Sequence, residues 1–117
     1  MKTLASAFAL GCLVLSGPVL AQTETDAQSP MGHMMAVMDS AMTDMKSMET
    51  SGNYDADFLM MMIPHHQSAI EMAQLQLANG TDPEARAFAE KVIAAQTEEI
   101  AEIREMLKKM GVEAPAN

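Results

Sequence analysis

Residues 79–84, Asn79-Gly80-Thr81-Asp82-Pro83-Glu84, divide two long stretches in which apolar residues recur every three or four positions. On the near side, Asn79-Gly80 predicts a left-handed C-terminal cap for a helix that opens after Asp55 or Asp57 and runs to Ala78. On the far side, a capping side chain, a proline in the first turn and the Thr81-to-Glu84 capping-box spacing predict the start of the next helix. That helix carries Ala85, Phe88, Ala89, Val92, Ile93, Gln96, Ile100, Ile103, Met106, Leu107 and Met110 along one stripe. Glu90, Lys91, Glu98, Glu102, Glu105 and Lys108 mostly take the other side, and Gly111 ends it. With only three to five residues between them, the two helices should pack as an antiparallel hairpin.

Upstream, Met34, Met35, Met38, Ala41, Met42, Met45 and Met48 repeat at the same spacing and predict a helix from about His33 to Glu49, ended by Ser51-Gly52-Asn53. No strand alternation competes anywhere. The fold class is therefore all-α: a small antiparallel bundle of three main helices, which the first helix closes within the chain or by exchange with a second copy. Residues 22–32 read as a flexible leader, because their polar stretch to Pro30 has no periodicity. The helical domain spans 33–111, and 112–117 form a tail.

The N-terminus has the form of an export signal. Met1-Lys2 is followed by an apolar run from Leu4 to Leu15, and Val19-Leu20-Ala21 offers a cleavage site, so a signal peptide over 1–21 is expected. The run is too short to span a bilayer, and Gly17-Pro18 interrupts its end. Cys12 follows Ala9-Leu10-Gly11 as in a lipoprotein site, but too little apolar sequence precedes it. Cys12 is also the only cysteine, so the expected mature chain has none. Residues 22–117 hold 16 acidic and 6 basic side chains, a formal charge of −10. Such a balance argues against nucleic acid and anionic membrane surfaces as partners. The expected location is periplasmic or secreted, without membrane insertion after cleavage.

Seven methionines lie between Met31 and Met48. At 100° per residue they fall within an arc of about 140° on a helical wheel. A stripe of that kind is first a packing signal, since Met fills gaps in cores. Yet from Met31 to Asp57 there is no Leu, Ile or Phe, and Val37 is the only branched aliphatic. Core selection alone would favour Leu or Ile, because Met specifies packing poorly. The candidate soft-metal ligands of this segment are His33, Met34, Met35, Met38, Met42, Met45 and Met48.

A second group is Met60-Met61-Met62-Ile63-Pro64-His65-His66, with Met72 beyond it. Met61 and Met62 stand four and three positions before His65, Met72 stands seven after it, and Met62 stands four before His66. Residues so spaced lie about 5–6 Å apart at Cβ and can reach a common ion. Met61, Met62, His65, His66 and Met72 are therefore the candidates here, and Pro64 either kinks the helix or marks its start. Thioethers are soft and lose no proton on ligation, so this set favours Cu(I), with Ag(I) as its mimic, over Zn, Mg or Ca. The histidines add pH-dependent donors that would also suit Cu(II).

At these residues the chain resembles the bacterial family called domain of unknown function 305. Asp57-Phe58-Leu59-Met60-Met61-Met62-Ile63-Pro64-His65-His66-Gln67, continued by Ala69-Ile70-Glu71-Met72-Ala73, looks like the family's signature. The stretch from Asp82-Pro83-Glu84 through Ala89, Ile93, Gln96, Glu99 and Ile100 is similar too. The resemblance spans about Asn53 to Met110. It implies a ferritin-like helical bundle and periplasmic copper binding in copper tolerance, with Met61, Met62, His65 and His66 matching the motif. Many members carry a Trp near the end of the last helix, which is absent here. The methionines of the first helix rest on the residue pattern alone.

Three functions compete. A copper buffer, or a chaperone serving a periplasmic acceptor or efflux component, fits the donor set. A metal-responsive sensor or interaction module without metal transfer is the alternative. A di-iron oxidase would need Glu-x-x-His pairs, and neither His65 nor His66 has Glu three positions before it. Blue-copper chemistry needs a Cys that the expected mature chain lacks. No enzymatic activity is expected.

Overall fold

The computed structural model describes residues 27–116, so the expected signal peptide and residues 22–26 of the leader lie outside the described residues. The chain forms α1 (Pro30–Ser47), α2 (Tyr54–Asn79) and α3 (Pro83–Lys109), with no strand among the described residues. The fold is an all-α small bundle.

Capping chemistry explains each boundary. α1 opens at Pro30, three residues ahead of the expected His33, because Ser29 Oγ accepts a hydrogen bond from the Gly32 amide and Pro30 fills the first turn. The Ser-Pro pair that read as the end of a leader is the start of a helix. α2 opens at Tyr54 rather than after Asp55 or Asp57, since Asn53 Oδ1 accepts from the amides of Asp55 and Ala56. The helix runs unbroken through Pro64, which is internal and does not mark its start. For α3 the capping residue is Asp82, one position after the expected Thr81, and its Oδ1 accepts from the Ala85 amide at 2.7 Å.

Gly80 corrects one expectation. Its φ of −81° is extended, not left-handed. The Gly80 amide still bonds Gln76 O at 2.7 Å, and Arg86 secures the end of the helix from α3, its Nη1 donating to Leu77 O at 2.6 Å and Gly80 O at 3.0 Å. Glycine is required there for space: a Cβ would collide with the Gln76 side-chain amide and lie 2.7 Å from the Gln76 carbonyl. The left-handed glycine cap occurs at Gly111, with φ of +71°. There the Gly111 amide bonds Lys108 O and the Val112 amide bonds Leu107 O, closing the end of α3.

Two contacts fix the register of the hairpin. Arg86 meets Leu77, and His66 meets Glu99, so residue numbers rise on α3 as they fall on α2. The main core lies towards the far end of this antiparallel pair, where Ala56, Leu59 and Ile63 of α2 pack with Ile103 and Leu107 of α3. Residues 112–116 are not a free tail. Val112 and Ala114 pack on the same core, turned back by the glycine cap.

α1 packs on α2 and not on α3, so it does not close the bundle within the described chain. Its only buried residues are Gly32 and Ala41. Neither carries enough apolar surface to draw the helix over the α2–α3 seam. What ties α1 to α2 is the turn between them. Asp57 accepts from the Ser51 amide and hydroxyl at 2.6 Å each and from the Thr50 hydroxyl, and Gly52 turns the chain with φ of +81°.

Those bonds, the Ser51 hydroxyl first, hold the Asp57 carboxyl below its ordinary range. A lowered folded value means stability that is present above the unfolded carboxylate pKa of about 3.9 and lost as pH falls through the folded one. Asp57→Asn should therefore melt at a lower temperature than the wild type at pH 7, with the gap narrowing as both are acidified below about pH 3.9. A gap that does not change with pH would show that the carboxylate charge plays no part.

Candidate metal centre

α1 presents its methionines in two sets, which a wheel could not separate. Met34, Met45 and Met48 are half-buried towards α2, flanking Ala41 and Val37. Met31, Met35, Met38 and Met42 are exposed, between 46% and 60%, in an arc of about 60°. Packing alone does not account for four exposed methionines in one line, because thioethers in water gain nothing that a polar side chain would not supply. His33 is also exposed, beside Glu71 and Gln74 of α2.

Four methionines meet at one pocket where α1 ends and α2 begins. Met45 and Met48 from α1 and Met60 and Met61 from α2 line one pocket of about 130 Å³, with Glu49, Thr50 and Asp57 completing the wall. The geometry follows from the short turn. Asp57, one helical turn before Met60 and Met61, is clamped to Thr50 and Ser51, which follow Met48, so the two ends of the turn are held together. Met61 is half-exposed at the mouth, and Met60 also packs against the core.

The five residues expected to form one cluster on α2 do not share one place. Met61 belongs to the four-methionine pocket. Met72 lies with Met34 in an open apolar groove of about 410 Å³, lined also by Phe88 and Val92 of α3. Met62 packs against the core. His65 is exposed, whereas His66 is buried against α3, although their rings touch edge to face at 5.9 Å between centroids. Adjacent positions on a helix are about 100° apart, so two neighbouring histidines cannot both face one ion without distortion.

His66 Nε2 lies 2.6 Å from Glu99 Oε2, across the hairpin. Its Nδ1 is buried and has no hydrogen-bond partner. An unpartnered buried polar atom costs roughly 1–3 kcal/mol, so it calls for a reason. Among the described residues no three His, Cys, Asp or Glu side chains are placed to share an ion.

Sequence reasoning missed two residues here. Met60 belongs to the second methionine–histidine group but is not among its candidate ligands, and its place in the Met60-Met61-Met62 run is the signal that could have found it. Glu99 stands three positions after Gln96 and four before Ile103, so it interrupts the apolar stripe of α3.

The arrangement defines a small, all-helical, methionine-rich domain with thioether donors gathered between two helices. The chain belongs to the family described as Domain of unknown function (DUF305), whose model matches residues 9–107. No curated protein and no solved structure matches it. None of the described helices is long and apolar enough to cross a membrane.

Proposed function

We propose that this chain binds Cu(I), with Ag(I) as its mimic, outside the cytoplasm, and serves copper tolerance as a buffer or as a chaperone for an acceptor or efflux component. The observation that carries this reading is the convergence of Met45, Met48, Met60 and Met61 on one pocket. Neutral sulfur donors hold a monovalent soft ion without proton release and reject harder cations. The half-exposed Met61 gives an acceptor's donor atom a point of entry, as exchange between partners requires. It is a binding protein and not an enzyme. Export through the signal peptide of residues 1–21 and a ferritin-like relationship belong to the same proposal, as does completion of the bundle by a second copy.

The exposed line of Met31, Met35, Met38 and Met42 favours a second reading, a metal-responsive interaction module that transfers no metal. Flexible methionines suit adaptable partner surfaces.

The test is an anaerobic Cu(I) titration against a chromophoric chelator, which reads stoichiometry and affinity together. Retention of at least one Cu(I) per chain against the chelator is the expected result, and a chain that yields all its copper contradicts the proposal. Metal held only by the folded state should also raise Tm, since a hundredfold excess over Kd stabilises by about 2.7 kcal/mol. Equal melting of the apo and loaded protein would mean that the bound copper sits on unstructured segments.

A further inference from the structure

The contact between His66 and Glu99 has the form of a ligand held by a carboxylate. A carboxylate oxygen 2.6 Å from Nε2 can only accept, so the ring carries its hydrogen on Nε2. In the neutral ring Nδ1 is then a bare lone pair. That lone pair is buried, and among the described residues no group donates to it. Histidines that bind metals commonly donate their other ring N–H to a carboxylate, which fixes tautomer and orientation and makes the ligating nitrogen more basic.

We infer that Glu99 is a positioning residue that holds His66 with Nδ1 free to ligate a soft metal ion, at a place separate from the four-methionine pocket. This inference rests on the proposed function and adds the ligating atom and the residue that selects it. Glu99 touches no metal. It acts through the ring, and because it stands on α3 while His66 stands on α2, packing of the hairpin becomes part of the site.

Ag(I) is a suitable probe, since it is soft and inert to air, and the full chain labelled with ¹⁵N-histidine reports both ring nitrogens of His66. Without metal the wild type should show the Nε2–H tautomer, and Ag(I) should move the Nδ1 resonance while Nε2 keeps its hydrogen. Glu99→Ala should lose the tautomer preference and weaken this site roughly 10–100-fold. Glu99→Gln, whose amide oxygen still accepts from Nε2–H, should restore most of both, with unchanged helicity in the two variants. An Nδ1–H tautomer in the metal-free protein, or equal silver affinity in wild type and Glu99→Ala, would overturn the assignment. Silver bound with an unmoved Nδ1 resonance would overturn only the role of His66 and leave the methionine pocket standing. No silver bound anywhere would overturn the copper reading as well.

Discussion

Replacing Met45, Met48, Met60 and Met61 together by Leu should leave a helical, folded protein that has lost its tightest Cu(I). The pocket is lined by these four side chains from two helices. Leucine keeps their volume and apolar character, and such swaps usually cost less than about 1.5 kcal/mol each. What leucine removes is every sulfur. Affinity at this site should fall at least about a hundredfold, or about 2.7 kcal/mol, with the loss read by chelator competition. The same substitution in the exposed set, Met31, Met35, Met38 and Met42, should cost less copper, because these side chains stand 46% to 60% exposed. If the pocket variant keeps the wild-type stoichiometry and affinity, these four methionines are packing and nothing more.

Leu107→Ala should be the most damaging single change to stability. Leu107 is fully buried and joins α3 to Ala56, Leu59 and Ile63 of α2. Truncation of a buried leucine costs about 2–5 kcal/mol, the spread reflecting how far the surroundings can relax. A domain of this size has a total of only about 5–15 kcal/mol. Its Tm should fall by roughly 10 °C or more. Met106→Ala on the same turn removes a side chain that is 39% exposed and should cost much less. Similar losses in the two variants would contradict the placement of the core. Because Val112 and Ala114 pack on the same cluster, Leu107→Ala should also free residues 112–116, measurable as faster amide exchange there.

The hairpin was legible because its signals are local. Asp82-Pro83 and the periodic stripes on either side need no knowledge of the rest of the chain. Asn53 was also a local signal, but Asp55 and Asp57 are equally good capping residues in sequence and obscured it. The conformation of Gly80 was not legible. Whether a glycine after a helix turns left-handed depends on who serves the last carbonyls, and here that is Arg86, six residues on. The metal candidates divide in the same way. Spacing identified the methionines, yet a wheel gives only relative angles and cannot say which part of a 140° arc meets α2. The joining of Met45 and Met48 to Met60 and Met61 depends on the Asp57 clamp across the turn. The pairing of His66 with Glu99 spans 33 residues and exists only once α2 and α3 have docked.

The central claim is that copper is held by methionine sulfur in the pocket between α1 and α2. Copper K-edge X-ray absorption on anaerobically loaded protein, at one equivalent per chain, tests it most directly. A Cu(I) edge and a first shell dominated by sulfur are expected, and the fourfold leucine variant at Met45, Met48, Met60 and Met61 should lose that shell. A first shell of nitrogen and oxygen alone, identical in wild type and variant, would contradict it.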